Sequence, residues 1–158
     1  MSNTQAQMNP DLSSVFVRVA NTADTELVDK HRRDSAQEST KYRGSIETPQ
    51  DVRDQQTYEA GYNETVLASL TIGQKSDGVW HISHVFVEPE AREVGIGDAL
   101  VRHVIDALAK LGARWIGAQA LPGDRAMKNL FERHGLVAQT ITVGRAINAP
   151  STEGDVSQ

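Results

Sequence analysis

His81 and His84 lie in an apolar, β-branched run from Val79 to Val87 that halts at Pro89. The run leads into Arg92-Glu93-Val94-Gly95-Ile96-Gly97. Beyond the loop, Leu100, Val101, Val104, Ile105, Leu108 and Leu111 recur at the spacing of one helical face. Strand, glycine loop and helix together offer bare backbone N–H groups, and the positive end of a helix dipole, to a phosphate. An imidazole titrates at about pH 6.5, so it can take a proton from an amine near neutrality. The stretch therefore predicts a phosphorylated cofactor held beside a candidate base.

Rival readings of the same residues fare worse. A dinucleotide fingerprint needs a third glycine where this chain has Leu100, and no acidic residue ends the next strand to read a ribose. A P-loop needs a Gly-Lys-Ser/Thr ending, which is missing. Metal binding by His81-x-x-His84 is disfavoured, because positions i and i+3 of a regular strand face opposite sides. The bland alternatives are a ligand-free strand-to-helix turn at Gly95-x-Gly97, and histidines that merely pack or hydrogen-bond in a half-buried strand.

The elements that must position these residues follow from pattern. The chain has 158 residues, enough for one domain with a core. Its polar ends predict flexible tails at 1–13 and 148–158, around a domain at 14–147. A first strand is expected over Ser14–Ala20. Asn21, Thr22 and Asp24 can each cap a following helix from about Asp24 to Ser35 or beyond, although Thr25 and not an acid stands three residues after Thr22. Ser35–Gln56 is polar and broken by Gly44 and Pro49, which predicts a second short helix and a loop. Strands are expected at Thr57–Ala60, Thr65–Ile72, Val79–Val87, Arg114–Ala120 and Leu136–Val143, with helices after Gly97 and from about Arg125 to His134. The sum is a mixed α/β single domain in the order β-α-(α)-β-β-β-α-β-α-β.

Composition narrows the partners. The net charge is -5, with no basic block, so neither nucleic acid nor a membrane surface is expected. The chain contains no cysteine, which removes disulfides, thiolate metal sites and thiol nucleophiles. No apolar run approaches the roughly 18 residues of a membrane span, and a cytoplasmic location is the expectation.

Two motifs together resemble the GNAT family of acyl-CoA-dependent N-acetyltransferases. The first is Val87-Glu88-Pro89 followed by Arg92-x-x-Gly95-x-Gly97 and a helix. The second is Asp124-x-x-Met127-x-x-x-Phe131-Glu132-x-x-Gly135-Leu136. The element order resembles the family from residue 15 to about 145. The resemblance implies a mixed sheet with a splayed central strand pair, flanked by helices. It also implies acetyl-CoA as co-substrate, no metal, and direct attack of an amine on the thioester.

By resemblance, Val85, Phe86 and Val87 would lie along the pantetheine. Arg92, Glu93, Val94, Gly95, Ile96, Gly97, Asp98 and Ala99 would hold the pyrophosphate, largely through backbone amides. Asp124, Lys128 and Phe131 would flank the cofactor. His81 and His84 are the candidate catalytic residues, with His81 near the position where some members keep a glutamate base. Ile82 and Val85 are both apolar yet three apart, which predicts a bulge in this strand. Where many members carry a tyrosine that protonates the departing sulfur, this chain has Phe131, which has no hydroxyl to donate. Lys30–Glu47 would line the acceptor side, with Glu38, Tyr42 and Arg43 as substrate-binding candidates and Glu47 nearby. His31, His103 and His134 read as structural or solvent-facing. Small-molecule amines, peptide N-termini and protein lysines are all compatible acceptors. A homodimer is compatible with the Val- and Ile-rich end of the chain. Two other classes stay open: a silent acyl-CoA-binding module, and a transferase for a longer acyl-CoA.

Overall fold

The computed structural model describes residues 14–148; apart from residue 148, the tails expected at 1–13 and 148–158 lie outside the described residues. The sheet has five strands in the order β1-β2-β3-β4-β5. These are β1 (Val15–Val19), β2 (Arg53–Tyr62), β3 (Thr65–Ser76), β4 (Val79–Val87) and β5 (Trp115–Gly117). β1 through β4 pair antiparallel, and β5 joins β4 in parallel. The helices are α1 (Thr25–Ser39), α2 (Ile96–Lys110) and α3 (Arg125–Arg133).

Local chemistry explains the corners. Asn63 and Glu64 turn β2 into β3 with φ of 49° and 69°, a left-handed pair whose twist suits a two-residue hairpin. Asn21 Oδ1 accepts from the Ala23 N–H at 2.8 Å, and Asp24 Oδ2 accepts from the Asn21 N–H at 3.4 Å. The reciprocal cap is therefore built on Asn21, one residue before the Thr22 spacing that lacked an acid.

The two faces of the sheet differ in chemistry. One is apolar: Tyr58, Ala60, Leu70, Ile72, Trp80, Ile82 and Val85 pack with Ile96, Leu100, Val101, Val104 and Leu108 of α2 and with Leu130 and Phe131 of α3. The face beneath α1 carries polar rows across the strands. Register aligns Arg18, Glu59, Ser69 and Phe86 in one row and Thr71 with His84 in the next. α1 lowers Val28 and His31 onto that face, both buried.

Two expected elements do not form. α1 runs on to Ser39, and no second helix occurs between residues 40 and 52. That segment has no apolar stripe to bury, and Ile46, its one large aliphatic besides Val52, is exposed. The expected strand at Leu136–Val143 is also absent. Its side chains favour β structure, but a strand exists only when its backbone finds an edge. β5 is only three residues long, and Val137, Ile141 and Val143 stay exposed at 56%, 83% and 86%. The observed order is β-α-β-β-β-α-β-α.

Candidate active site

β4 carries the bulge expected from Ile82 and Val85. His84 pairs with Thr71 and Ile82 with Ile72, so Ser83 is the extra residue between them. His81 lies opposite Gly73 and His84 opposite Thr71, two apart on β3. The bulge thus brings both histidines to the same face, the one that carries Ser69 and Thr71, which corrects the expectation of opposite sides. Even so, no group of three His, Cys, Asp or Glu side chains that could hold a metal occurs among the described residues.

β4 and β5 part company early. Their pairing covers Val79–His81 against Trp115–Gly117 and ends there. Past that point, the segment after β5 is held from its other side by the loop following α1. Gln119 accepts from the Glu47 N–H at 3.0 Å and donates to the Glu47 carbonyl at 2.8 Å. Tyr42 packs near Gly123, 3.5 Å from where a Cβ would sit. The bulged half of β4 is therefore left without a strand partner on its β5 side.

The glycine loop stands at the end of this gap. Glu93 and Gly95 have φ of 69° and 92°. Gly95 is the N-cap of α2 and supplies no side-chain cap, so the N–H groups of Ile96, Gly97 and Asp98 find no acceptor among the described residues. Ala99 is different, because its N–H donates to the Gly95 carbonyl at 3.0 Å and is not a free donor as expected. Arg92 does not stand free beside the loop either. Its Nε donates to the Val87 carbonyl at 2.8 Å, its guanidinium grips Glu38 at 2.8 and 3.0 Å, and it rests over the Phe86 ring.

The other cofactor candidates are spread across several roles. Val85 is a core residue, whereas Phe86 faces α1 and touches His31. Val87 sits 3.4 Å from where a Cβ on Gly97 would be. Asp98 is engaged by Arg133 at 2.9 Å and His134 at 2.8 Å, pinning α3 to α2. These partners hold the Asp98 carboxyl below the usual range despite its partial burial. Asp124 caps α3 through the Met127 N–H at 3.2 Å. Lys128 pairs with Glu132 at 2.8 Å, and Phe131 is packed in the core.

His84 ends a buried polar chain. Its Nε2 lies 3.0 Å from Ser69 Oγ, which lies 2.9 Å from His31 Nδ1. His31 Nε2 in turn lies 2.9 Å from Glu88 Oε2. Burial, with Arg32 and His31 nearby, pushes His84 down to about 4. His81 is also lowered, first by burial and then by Lys75, and its Nε2 is buried without a partner. The sequence singled out neither Ser69 nor Glu88, and His31, expected to be structural or solvent-facing, is fully buried in this chain of contacts. A signal was present in Thr65–Ile72, where Ser69 and Thr71 alternate with Leu70 and Ile72 and so mark one polar face of a buried strand.

A cavity of about 350 Å³ opens between the second half of α1 and the end of β4, lined by Asp34, Gln37, Glu38, Lys41, Phe86 and Pro89 among others. Glu38 lies at this opening. Tyr42 turns toward Gly123, and Arg43 is exposed, so neither lines it.

Comparison with known proteins agrees with this architecture. A family model described as the acetyltransferase (GNAT) family matches residues 22–136. No curated protein matches the chain by sequence. A possible acetyltransferase from Clostridium difficile 630 is 15% identical over 86% of this chain and 99% of its own, with a TM-score of 0.65. An aminoglycoside acetyltransferase, meta-AAC0020, from an uncultured soil metagenomic sample, solved with sisomicin, is 14% identical over 87% of this chain and 98% of its own, with a TM-score of 0.65. The aminoglycoside N-acetyltransferase AAC(6')-Iy, solved with CoA, is 13% identical over 85% of this chain and 100% of its own, with a TM-score of 0.64.

Proposed function

The chain belongs to the GNAT acetyltransferase family and is an acyltransferase; on that premise we propose that it moves an acetyl group from acetyl-CoA to an amine by direct attack on the thioester. The carrying observation is the bulged half of β4. It has a strand-free side toward β5, a helix N-terminus at its end, and His84 on the face beneath α1.

In this reading the N–H groups of Ile96, Gly97 and Asp98 bind the pyrophosphate, with a favourable dipole behind them. The backbone of Val85–Val87 pairs with the pantetheine as though with an added strand. A backbone N–H freed at the bulge donates to the thioester oxygen as charge develops there. His84 removes a proton from the amine, because an ammonium has no lone pair with which to attack. His81 is the second candidate, disfavoured by a buried Nε2 with nothing to bond. Phe131 packs in the core and has no hydroxyl, so it takes no part in proton transfer.

The acceptor we infer is a small-molecule amine. The cavity over Phe86 is lined by polar side chains that a small polar amine could meet, with Asp34 already paired to Lys30 and Glu38 to Arg92. The structural likeness to enzymes named for aminoglycosides agrees with such a substrate. A cytoplasmic location belongs to the same reading and suits a chain without cysteine. The test is release of CoA thiol from acetyl-CoA with a panel of polyamines, aminoglycosides, peptides and protein lysines, with product mass as the second readout. Turnover on a small polyamine is expected. Tight acetyl-CoA binding with no turnover on any acceptor would favour a silent binding module.

A further inference from the structure

We propose that Glu88, His31 and Ser69 form a proton relay that fixes the tautomer of His84 and carries the acceptor's proton away from the reacting centre. The proposal rests on the reading of His84 as the base.

With His31 neutral, the hydrogen-bond donors follow one another in a single order. A carboxylate can only accept, so His31 Nε2 donates to Glu88 Oε2 at 2.9 Å. A neutral His31 then has a lone pair at Nδ1, which must accept the Ser69 hydroxyl proton at 2.9 Å. Ser69 has then spent its one proton, so its Oγ accepts from His84 Nε2 at 3.0 Å. His84 is left with a bare lone pair at Nδ1, and that atom has no partner among the described residues. His31 and Ser69 are both 0% exposed, so water does not compete for either link.

The same chain can move a proton. As the amine nitrogen bonds to the acetyl carbon, His84 Nδ1 takes its proton. Nε2–H passes to Ser69 Oγ, and the original hydroxyl proton passes to His31 Nδ1. As many N–H and O–H bonds form as break. The positive charge ends on His31, 2.9 Å from a Glu88 oxygen, and His84 is neutral again with its proton on Nδ1. Run backwards as the carbon–sulfur bond breaks, the chain returns the proton to the departing thiolate. This supplies the sulfur proton that Phe131 cannot.

The surroundings explain why the charge should not rest on His84. Arg32 comes from α1, where it donates to Thr71 Oγ1 at 3.0 Å, and with His31 it opposes a charge on His84. At the other end of the relay, Lys30 lies 3.5 Å from Glu88 but is held at 2.7 Å by Asp34. Arg92, over Phe86, is neutralised by Glu38.

The test uses the full chain in two arms. In the first, nitrogen NMR of histidine-labelled protein without substrate should find His31 and His84 both protonated at Nε2. Ser69→Ala should abolish that preference at His84. In the second arm, Ser69→Ala should lower kcat about tenfold or more with KM for acetyl-CoA unchanged. Glu88→Gln keeps an acceptor oxygen but loses the charge. It should retain the tautomers yet lower kcat and move the acid limb of the pH–rate profile. If Ser69→Ala fails to fold, the partly exposed Glu88→Gln decides the matter alone. A wild-type His84 protonated at Nδ1, or variants with unchanged kcat and pH profile, would overturn the relay. A wild type with no turnover on any amine would overturn the acetyl-transfer reading instead, while the tautomers remain measurable.

Discussion

His84 and Glu59 sit on the same face of the sheet and give opposite pH signatures. His84→Ala should cut turnover at neutral pH by about a hundredfold, with partial recovery at high pH where the amine is already neutral. Steady-state rates across pH check this, and His81→Ala should do much less. For stability, His84 is depressed to about 4 when folded, so the folded state resists a proton that the unfolded chain accepts. Its contribution is present above the ordinary imidazole range and is lost as pH falls toward 4. Glu59 is fully buried, beside Arg18 at 2.7 Å, with Oε2 unpartnered. Burial raises its carboxyl above the usual range, aided by Asp24 and opposed by Arg18. The sign is reversed: stability is complete below the ordinary carboxylate range and is lost as pH rises through the folded value. Glu59→Gln should remove that loss, so its melting temperature relative to the wild type's should rise between pH 4 and 7, as scanning calorimetry would show.

Among the elements, the loop and α2 make the sharpest prediction. Gly95 has φ of 92°, so any side chain there is strained and a loss of binding would be confounded with a loss of fold. Gly97 is the cleaner site. A Cβ on it meets Val87 at 3.4 Å and Leu130 at 3.7 Å, at the end of the unpaired half of β4. Gly97→Ala should fold normally and bind acetyl-CoA at least about tenfold more weakly, a change of about 1.4 kcal/mol; unchanged affinity by calorimetry would remove the loop from the site. β4 and the start of α2 were legible in the sequence because their apolar periods are long and end at proline and glycine. The bulge was legible in the spacing of Ile82 and Val85. The strand expected at Leu136–Val143 was not a sound inference, since β propensity names a residue type and not a partner edge. The relay was hidden for a different reason. Its members stand at positions 31, 69, 84 and 88 and meet only because α1 crosses β3 and β4.

For the whole molecule, β5 ends the sheet as an edge strand, and residues 136–148 form no strand beside it. Trp115 is 49% exposed on β5, and Ile141 and Val143, beyond α3, are almost fully exposed. We expect a second copy of the chain to cover them. Light scattering should give the mass of a dimer, and Ile141→Lys with Val143→Lys should give a monomer with an unchanged circular dichroism spectrum. A monomeric wild type would contradict this. The division of the sheet into an apolar face and a polar one has a consequence for how such an enzyme can diverge. The buried apolar cluster lies under α2 and α3, while the groups that would greet an acceptor lie under and along α1. Substitutions at the exposed positions of α1, away from Val28 and His31, therefore explore new substrates at little risk to the fold, and drift can retune what the enzyme modifies long before it threatens whether the enzyme exists.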